Sequence, residues 1–451
     1  MPSTYGRLGP DEKTLPNAIP LMAFRPAPPV HGDGLSLRSN AIWYLGGTAV
    51  YAASQWLIVI VFARLAGPSV VGLFTMATAI SAPIIALSQL SLRYVMVTDV
   101  SGRYAFGHHL DLRLMLTGVA ILAVFCVILL LGYRGYDALA LALFGLGRAF
   151  ESVSDIYYGR LQSRRRLDRV AQLLILRAAL TLAATSATFW QTHSLVWSGL
   201  LFACASLASQ FIVQITVPGE PIESKRSRGR WRRLYMTSLV RHAAPLATAQ
   251  FLVALSAFAP RFVLNRIGGT SMVGQFAAID YFLSIGLLFV AALGQSASPT
   301  LARAFHASDM REFHRVSLRI VCETLAVGAG GLVLTILFGR AVLIAFYGRA
   351  FGETANAFTP IVAGGMVLYL ASILGYVVTA TGQFAGLVWR YAIALAVTVI
   401  VAIYAGSVFG IAGMGAALAA GGGTSAILAL SFLRKISAAK LALHVSATEP
   451  P

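Results

Sequence analysis

Long apolar runs separated by short polar intervals fill the chain from residue 41 to residue 433. The runs are rich in Leu, Ala, Val and Ile, and each is about 20 residues long, the length of helix that crosses the hydrocarbon of a bilayer. This suits helices better than the alternating ten-residue strands of a membrane barrel. About twelve transmembrane helices are predicted, with cores near 41–63, 70–97, 112–132, 137–158, 170–190, 194–217, 238–264, 272–301, 316–338, 356–381, 386–408 and 411–433. A mean hydropathy of +0.75 with only 12% charged residues gives more apolar surface than one soluble core can bury. The fold class is thus an all-α integral membrane protein.

Charge sharpens this picture. The net charge of +18 comes from short basic clusters between the apolar runs, a distribution that excludes a nucleic-acid-binding domain. With the N-terminus inside, only Arg64, Arg134, Arg266, Arg340 and Arg349 of the 35 Lys and Arg fall outside. Most of the rest fall inside, including Arg103 and Arg113 in one loop, as the positive-inside rule requires of a correct helix count. Residues 1–39, Pro-rich and polar with no signal-peptide pattern, are expected to form a disordered cytoplasmic tail. Cys126, Cys204 and Cys322 each stand alone in an apolar run and read as packing residues, not as a metal or disulfide set.

An internal repeat divides the chain. "RLAGPSVVGLF" from Arg64 and "RIGGTSMVGQF" from Arg266 share R-x-x-G-x-x-x-V-G-x-F at an offset of 202 residues. Each follows the first span of its half. Six spans per half make the repeat parallel, with a pseudo-two-fold axis along the membrane normal. The expected parts are an N-terminal lobe over 40–217, a basic linker over 218–237, a C-terminal lobe over 238–436 and a tail over 437–451.

Ionisable side chains at bilayer depth cost about 2.5–3.5 kcal/mol on insertion scales, so each is normally paired or faces a watery cavity. Arg148 and Asp280 lie near mid-membrane; Arg93, Arg177, Glu323 and Arg390 lie nearer the inside, and Arg261 near the outer end of its span. In "FESVSDIYYG", Glu151 and Asp155 share a helical face with Arg148. This charged stripe reads either as a structural set, with Arg148 paired to Glu151, or as part of an inner gate. A structural stripe predicts Asp155→Asn to be milder than Arg148→Ala. Asp280 and Glu323 read as proton or sodium sites, or as buried acids satisfied by neighbours. Arg390 and Arg93 read as snorkelling side chains. Motifs for ATP hydrolysis, zinc proteolysis or a Cys/His metal site are missing, so no enzyme, metal or cofactor is expected. The runs "GGG" from Gly421 and "GIAGMG" from Gly410 suit close helix packing.

At "RAFESVSDIYYGRLQSRRRLDRVA", and again at "VFARLAGPSVVGLFTMATAI", "APLATAQFLVALSAFAPRFVLNRIGGTSMVGQFAAIDYF" and "FYGRAFGETANAF", the chain resembles the polysaccharide (O-antigen type) flippases of the multidrug/oligosaccharidyl-lipid/polysaccharide exporter superfamily. The resemblance implies a multi-pass inner-membrane protein with both termini cytoplasmic and two six-helix lobes around a central cavity. It implies translocation of undecaprenyl-pyrophosphate-linked oligosaccharide by alternating access, beside membrane lipid and polysaccharide polymerase and chain-length machinery as partners. Arg64, Arg93, Arg148, Arg261 and Arg266 become candidates for contacting the anion, because arginine holds phosphate with paired hydrogen bonds. Glu151, Asp155, Asp280 and Glu323 become candidates for gating or ion coupling. Competing functions are a multidrug exporter of the same superfamily, a flippase for the peptidoglycan lipid precursor and, more distantly, a membrane glycosyltransferase or polysaccharide polymerase. The last needs a sizeable external loop, and the expected external loops are all short.

Overall fold

The computed structural model describes residues 37–98, 106–217, 230–382 and 386–448. Residues 1–36 of the expected tail, 218–229 of the linker and the last three residues lie outside them. All elements among the described residues are helical. They are α1 (Leu37–Ala66), α2 (Pro68–Ser88), α3 (Leu92–Thr98), α4 (Phe106–Leu130), α5 (Gly135–Ser163), α6 (Leu167–Thr192), α7 (Leu195–Thr216), α8 (Arg230–His306), α9 (Met310–Tyr347), α10 (Ala355–Ala380), α11 (Leu387–Phe409) and α12 (Gly413–Thr448), with 3-10 turns at Arg349–Thr354 and Gly410–Ala412.

Nine stretches among the described residues are long and apolar enough to cross a membrane. Two of them, Ala243–His306 and Leu387–Ile436, each hold two crossings, and the charge-bearing α5 supplies another. Twelve crossings result, as the hydrophobic runs predict. Side chains such as Leu122, Ile215, Leu334, Phe338 and Ile400 point outward, which only a lipid surround tolerates at this density.

The repeat has a conformational basis. Gly67, just before α2, has φ 80° and ψ −168°; Gly269, its partner at the offset of 202, has φ 67° and ψ −166° and kinks α8 into two arms. Both are the glycine of the shared motif, and only glycine holds this backbone without strain. Five residues on, Gly72 and Gly274 sit where α2 crosses α8. A Cβ on Gly72 would strike the carbonyl of Thr270, and one on Gly274 the carbonyl of Pro68, which is itself the repeat counterpart of Thr270. Around this crossing α1, α4 and α5 pack on α2, with α6 packed on α1 and α7 on α5, and α9 to α12 pack with α8.

Some expectations change. The linker ends early, because α8 begins at Arg230, and α12 runs on through the expected tail to Thr448, over Ala- and Leu-rich sequence with no helix breaker. Arg113 is no loop residue: α4 starts seven residues before it, and its side chain is fully buried. The three cysteines are exposed on the helix surfaces and are not packed inside. Gly410 to Ala412 turn the chain between α11 and α12, while Gly421 and Gly422 do approach Thr398 and the backbone of Leu368 closely.

Candidate functional site

Helix α5 carries Arg148, Glu151 and Asp155 down one side, and two separate clusters form along it. In the upper cluster, Arg148 Nη1 donates to Tyr51 Oη at 2.7 Å and to Glu151 Oε2 at 3.0 Å, and Nη2 donates to Gln55 Oε1 at 2.7 Å. Tyr51 Oη donates in turn to Glu151 Oε2 at 2.7 Å. Tyr51 and Gln55 are one turn apart on α1, so that helix presents both to α5. The Arg148 guanidinium lies 5.2 Å from the centre of the Phe202 ring. Its side chain keeps 17% of its exposure, so its neighbours do not cover it completely.

In the lower cluster, Asp155 accepts from Arg93 on α3 and from Arg113 on α4, each at 3.2 Å. Arg93 also donates to Gln162 at 3.0 Å and lies over the Tyr44 ring. One carboxylate thus serves two arginines from two helices. A third arginine, Arg177 of α6, is buried over the Tyr158 ring and donates to Ser209 at 3.4 Å.

The second half has its own pair. Arg261 on the first arm of α8 donates to Asp280 Oδ2 on the second arm at 2.6 Å and is flanked by the Phe258 and Phe276 rings. The pair spans the Gly268–Gly269 kink. Tyr281, next to Asp280, stands within electrostatic reach of Arg148 from one half and of Arg261 from the other. Both Arg–carboxylate pairs, one from each half, thus border Tyr281.

We call the end of the bundle bearing Arg64 and Arg266 the outer end, after the charge rule. It is closed. Trp56 Nε1 donates to Tyr347 Oη at 2.6 Å, Tyr347 Oη donates to the carbonyl of Ala278 at 2.9 Å, and the Trp56 ring packs against Phe282 and Phe346. Arg64 donates to the carbonyls of Phe346 at 3.0 Å and of Ala345.

Of the sequence-predicted residues, Arg148, Glu151, Arg261 and Asp280 gather at the interface, and Asp155, farther along α5, holds Arg93 of α3. Arg64 serves the outer closure through backbone carbonyls, and Arg266 is exposed beside the kink. Glu323 pairs with Arg319 one turn back on α9 at 2.8 Å, half-exposed, and joins neither cluster. Sequence reasoning missed Arg113, Tyr51, Gln55 and Tyr281. Arg113 was detectable: Phe106, His109, Arg113, Thr117, Ala120, Val124 and Ile128 form one stripe of buried positions at helical spacing. No group of three His, Cys, Asp or Glu that could hold a metal ion exists among the described residues.

The fold is that of the membrane transporters of the MOP superfamily. Solved structures with this fold include a multidrug resistance MATE family transporter in an inward-facing conformation, 14% identical, with a TM-score of 0.68 over 91% of this chain and 97% of the other. An outward-facing conformation of a MATE family transporter matches at 14% identity and a TM-score of 0.64, over 89% of this chain and 94% of the other. A MOP superfamily transporter from Pyrococcus furiosus, described as having a binding pocket of reverse polarity, matches at 14% identity and 0.63, over 89% and 95%. In sequence, the chain is 25% identical over 338 residues to the capsular polysaccharide biosynthesis protein CapF of Staphylococcus aureus, covering 74% of this chain and 83% of that protein. No family model matches.

Proposed function

We propose that this chain is an alternating-access flippase that carries a lipid-pyrophosphate-linked oligosaccharide across the bacterial inner membrane for surface polysaccharide synthesis. The observation that carries the reading is the charge at the interface between the halves. Arg148 and Arg261 stand there on opposite halves, backed by aromatic rings, each held by one carboxylate. An incoming pyrophosphate competes with Glu151 and Asp280 for the same guanidinium groups, and bidentate hydrogen bonds to phosphate are what arginine forms best. The likeness to the capsular polysaccharide protein supports a glycan cargo, and the resemblance to O-antigen type flippases supports the lipid carrier.

Multidrug export is the second reading, favoured by the fold shared with MATE transporters. One experiment separates the two. In a strain lacking the gene, the pool of undecaprenyl-linked oligosaccharide is measured and its leaflet is probed with a membrane-impermeant sugar label. Complete units stranded on the cytoplasmic face are the expected result. An unchanged pool overturns the flippase reading and leaves drug export. Complete units stranded outside, unpolymerised, overturn it in favour of a polymerase.

A further inference from the structure

The arginines that lie deep among the helices of the N-terminal half, and Arg261, all have a partner in the protein: Arg93 and Arg113 share Asp155, Arg148 has Glu151, Arg261 has Asp280, and Arg177 donates to Ser209. Arg113, Arg177 and Arg261 each leave some N–H groups unpaired as well, but Arg390 differs in lacking any acceptor among the described residues. It sits in the first turn of α11 with its guanidinium 4.8 Å from the centre of the Phe432 ring of α12, and its Nε and Nη2 are buried yet donate to no protein atom. A buried charged N–H without an acceptor costs free energy that folding has to offset.

These donors lie beside a narrow surface crevice between α10, α11 and α12. Its wall includes Tyr391 and Ser425 beside the small residues Ala371, Gly375 and Ala429, and among the described residues no carboxylate lines it. Space is real at Gly375: a Cβ there would meet nothing closer than Tyr391 Oη at 3.9 Å. A cation with free donors, a hydroxyl and a neighbouring ring at an acid-free crevice makes a receptor for an anion.

The level in the membrane narrows the anion. Arg390 is about 5 Å along α11 from its start, at the inner end of the bundle. At the same level Trp389 is strongly exposed, as aromatic residues are at a membrane interface, and Arg434 and Lys435, just past Phe432 on α12, are exposed as well. Basic pockets between transmembrane helices on the cytoplasmic side suit lipid headgroups. We propose that the Arg390 crevice binds the phosphate of an anionic membrane lipid from the inner leaflet, away from the site between the halves. This inference does not depend on the flippase reading.

The test uses the full chain in nanodiscs of phosphatidylglycerol, of phosphatidylcholine, or of phosphatidylcholine with millimolar inorganic phosphate. Phenylglyoxal modification of Arg390 is followed by peptide mass spectrometry. We expect phosphatidylglycerol to slow the modification about fivefold relative to phosphatidylcholine. Gly375→Leu, which fills the crevice and leaves Arg390 in place, is expected to bring that ratio to one. Equal protection by inorganic phosphate in phosphatidylcholine would keep the phosphate site and assign its occupant to the soluble pool. Equal rates in the two lipids for the unaltered protein, without protection by phosphate, would overturn the proposal, and so would protection that persists in Gly375→Leu.

Discussion

Arg148 and Arg113 sit about one helix apart in sequence yet have opposite roles, and their exposure separates them. Arg148 keeps part of its side chain accessible, whereas Arg113 keeps none. Arg148→Ala and Arg261→Ala are each expected to abolish surface glycan while the protein still inserts, read by immunoblot of membranes beside glycan staining; normal glycan in both variants removes them from the cargo site. Arg148→Lys should not restore activity, since an ammonium cannot serve Tyr51, Gln55 and Glu151 with a planar fork. The double pairing at Asp155 reverses the expectation that Asp155→Asn is mild. Asparagine there leaves Arg93 and the fully buried Arg113 without a counter-charge, and breaking a buried pair costs about 3–5 kcal/mol. Thermal unfolding in detergent should therefore fall further for Asp155→Asn than for Arg93→Ala, and adding Arg113→Leu to Asp155→Asn should return part of the loss. Equal stabilities across the three would show that solvent already screens the cluster.

At the scale of helices, the twelve crossings were legible because lipid imposes long apolar runs, and the repeat because Gly67 and Gly269 must both hold a left-handed φ. The polar partners were not legible. Tyr51 meets Arg148 across 97 residues of chain, and nothing in local spacing tells which face of α1 turns to α5. Arg113 was lost for another reason: a charge near a span end counts equally well as loop or helix until the burial stripe of α4 is laid out. The crossing of α2 and α8 yields a prediction that the repeat alone could not. Since Gly72 and Gly274 each press on a backbone carbonyl of the other helix, Gly72→Val and Gly274→Val should act alike. Overpacking costs about 1–3 kcal/mol against the closed crossing. Both variants should therefore insert normally and expose Ala278, replaced by cysteine in a background free of the native three, to impermeant thiol reagents from outside. A difference in direction between the two variants would deny the pseudo-symmetry of the crossing.

The whole molecule adds what neither scale holds, namely a state. Its outer end is closed by side chains that join the halves: Trp56 to Tyr347 and Arg64 to the carbonyls ending α9. Arg64 entered as a candidate for holding cargo. Two of its five N–H groups tie it to the carbonyls of Ala345 and Phe346 on the other half, so its geometry fits a latch better than a ligand site. The two roles differ in what happens without cargo. A cargo contact leaves the resting balance of conformations untouched, because a ligand site biases states only when the ligand binds. A latch sets that balance directly. Each hydrogen bond lost between the halves is worth about 0.5–1.5 kcal/mol, so Arg64→Ala combined with Trp56→Phe should move the cargo-free protein about tenfold or more toward the outward-open form. Distances between spin labels on the outer ends of α1 and α9, measured in nanodiscs without lipid-linked sugar, read this shift. Unchanged distances in the double variant, with glycan export lost in Arg64→Ala alone, would return Arg64 to the cargo site.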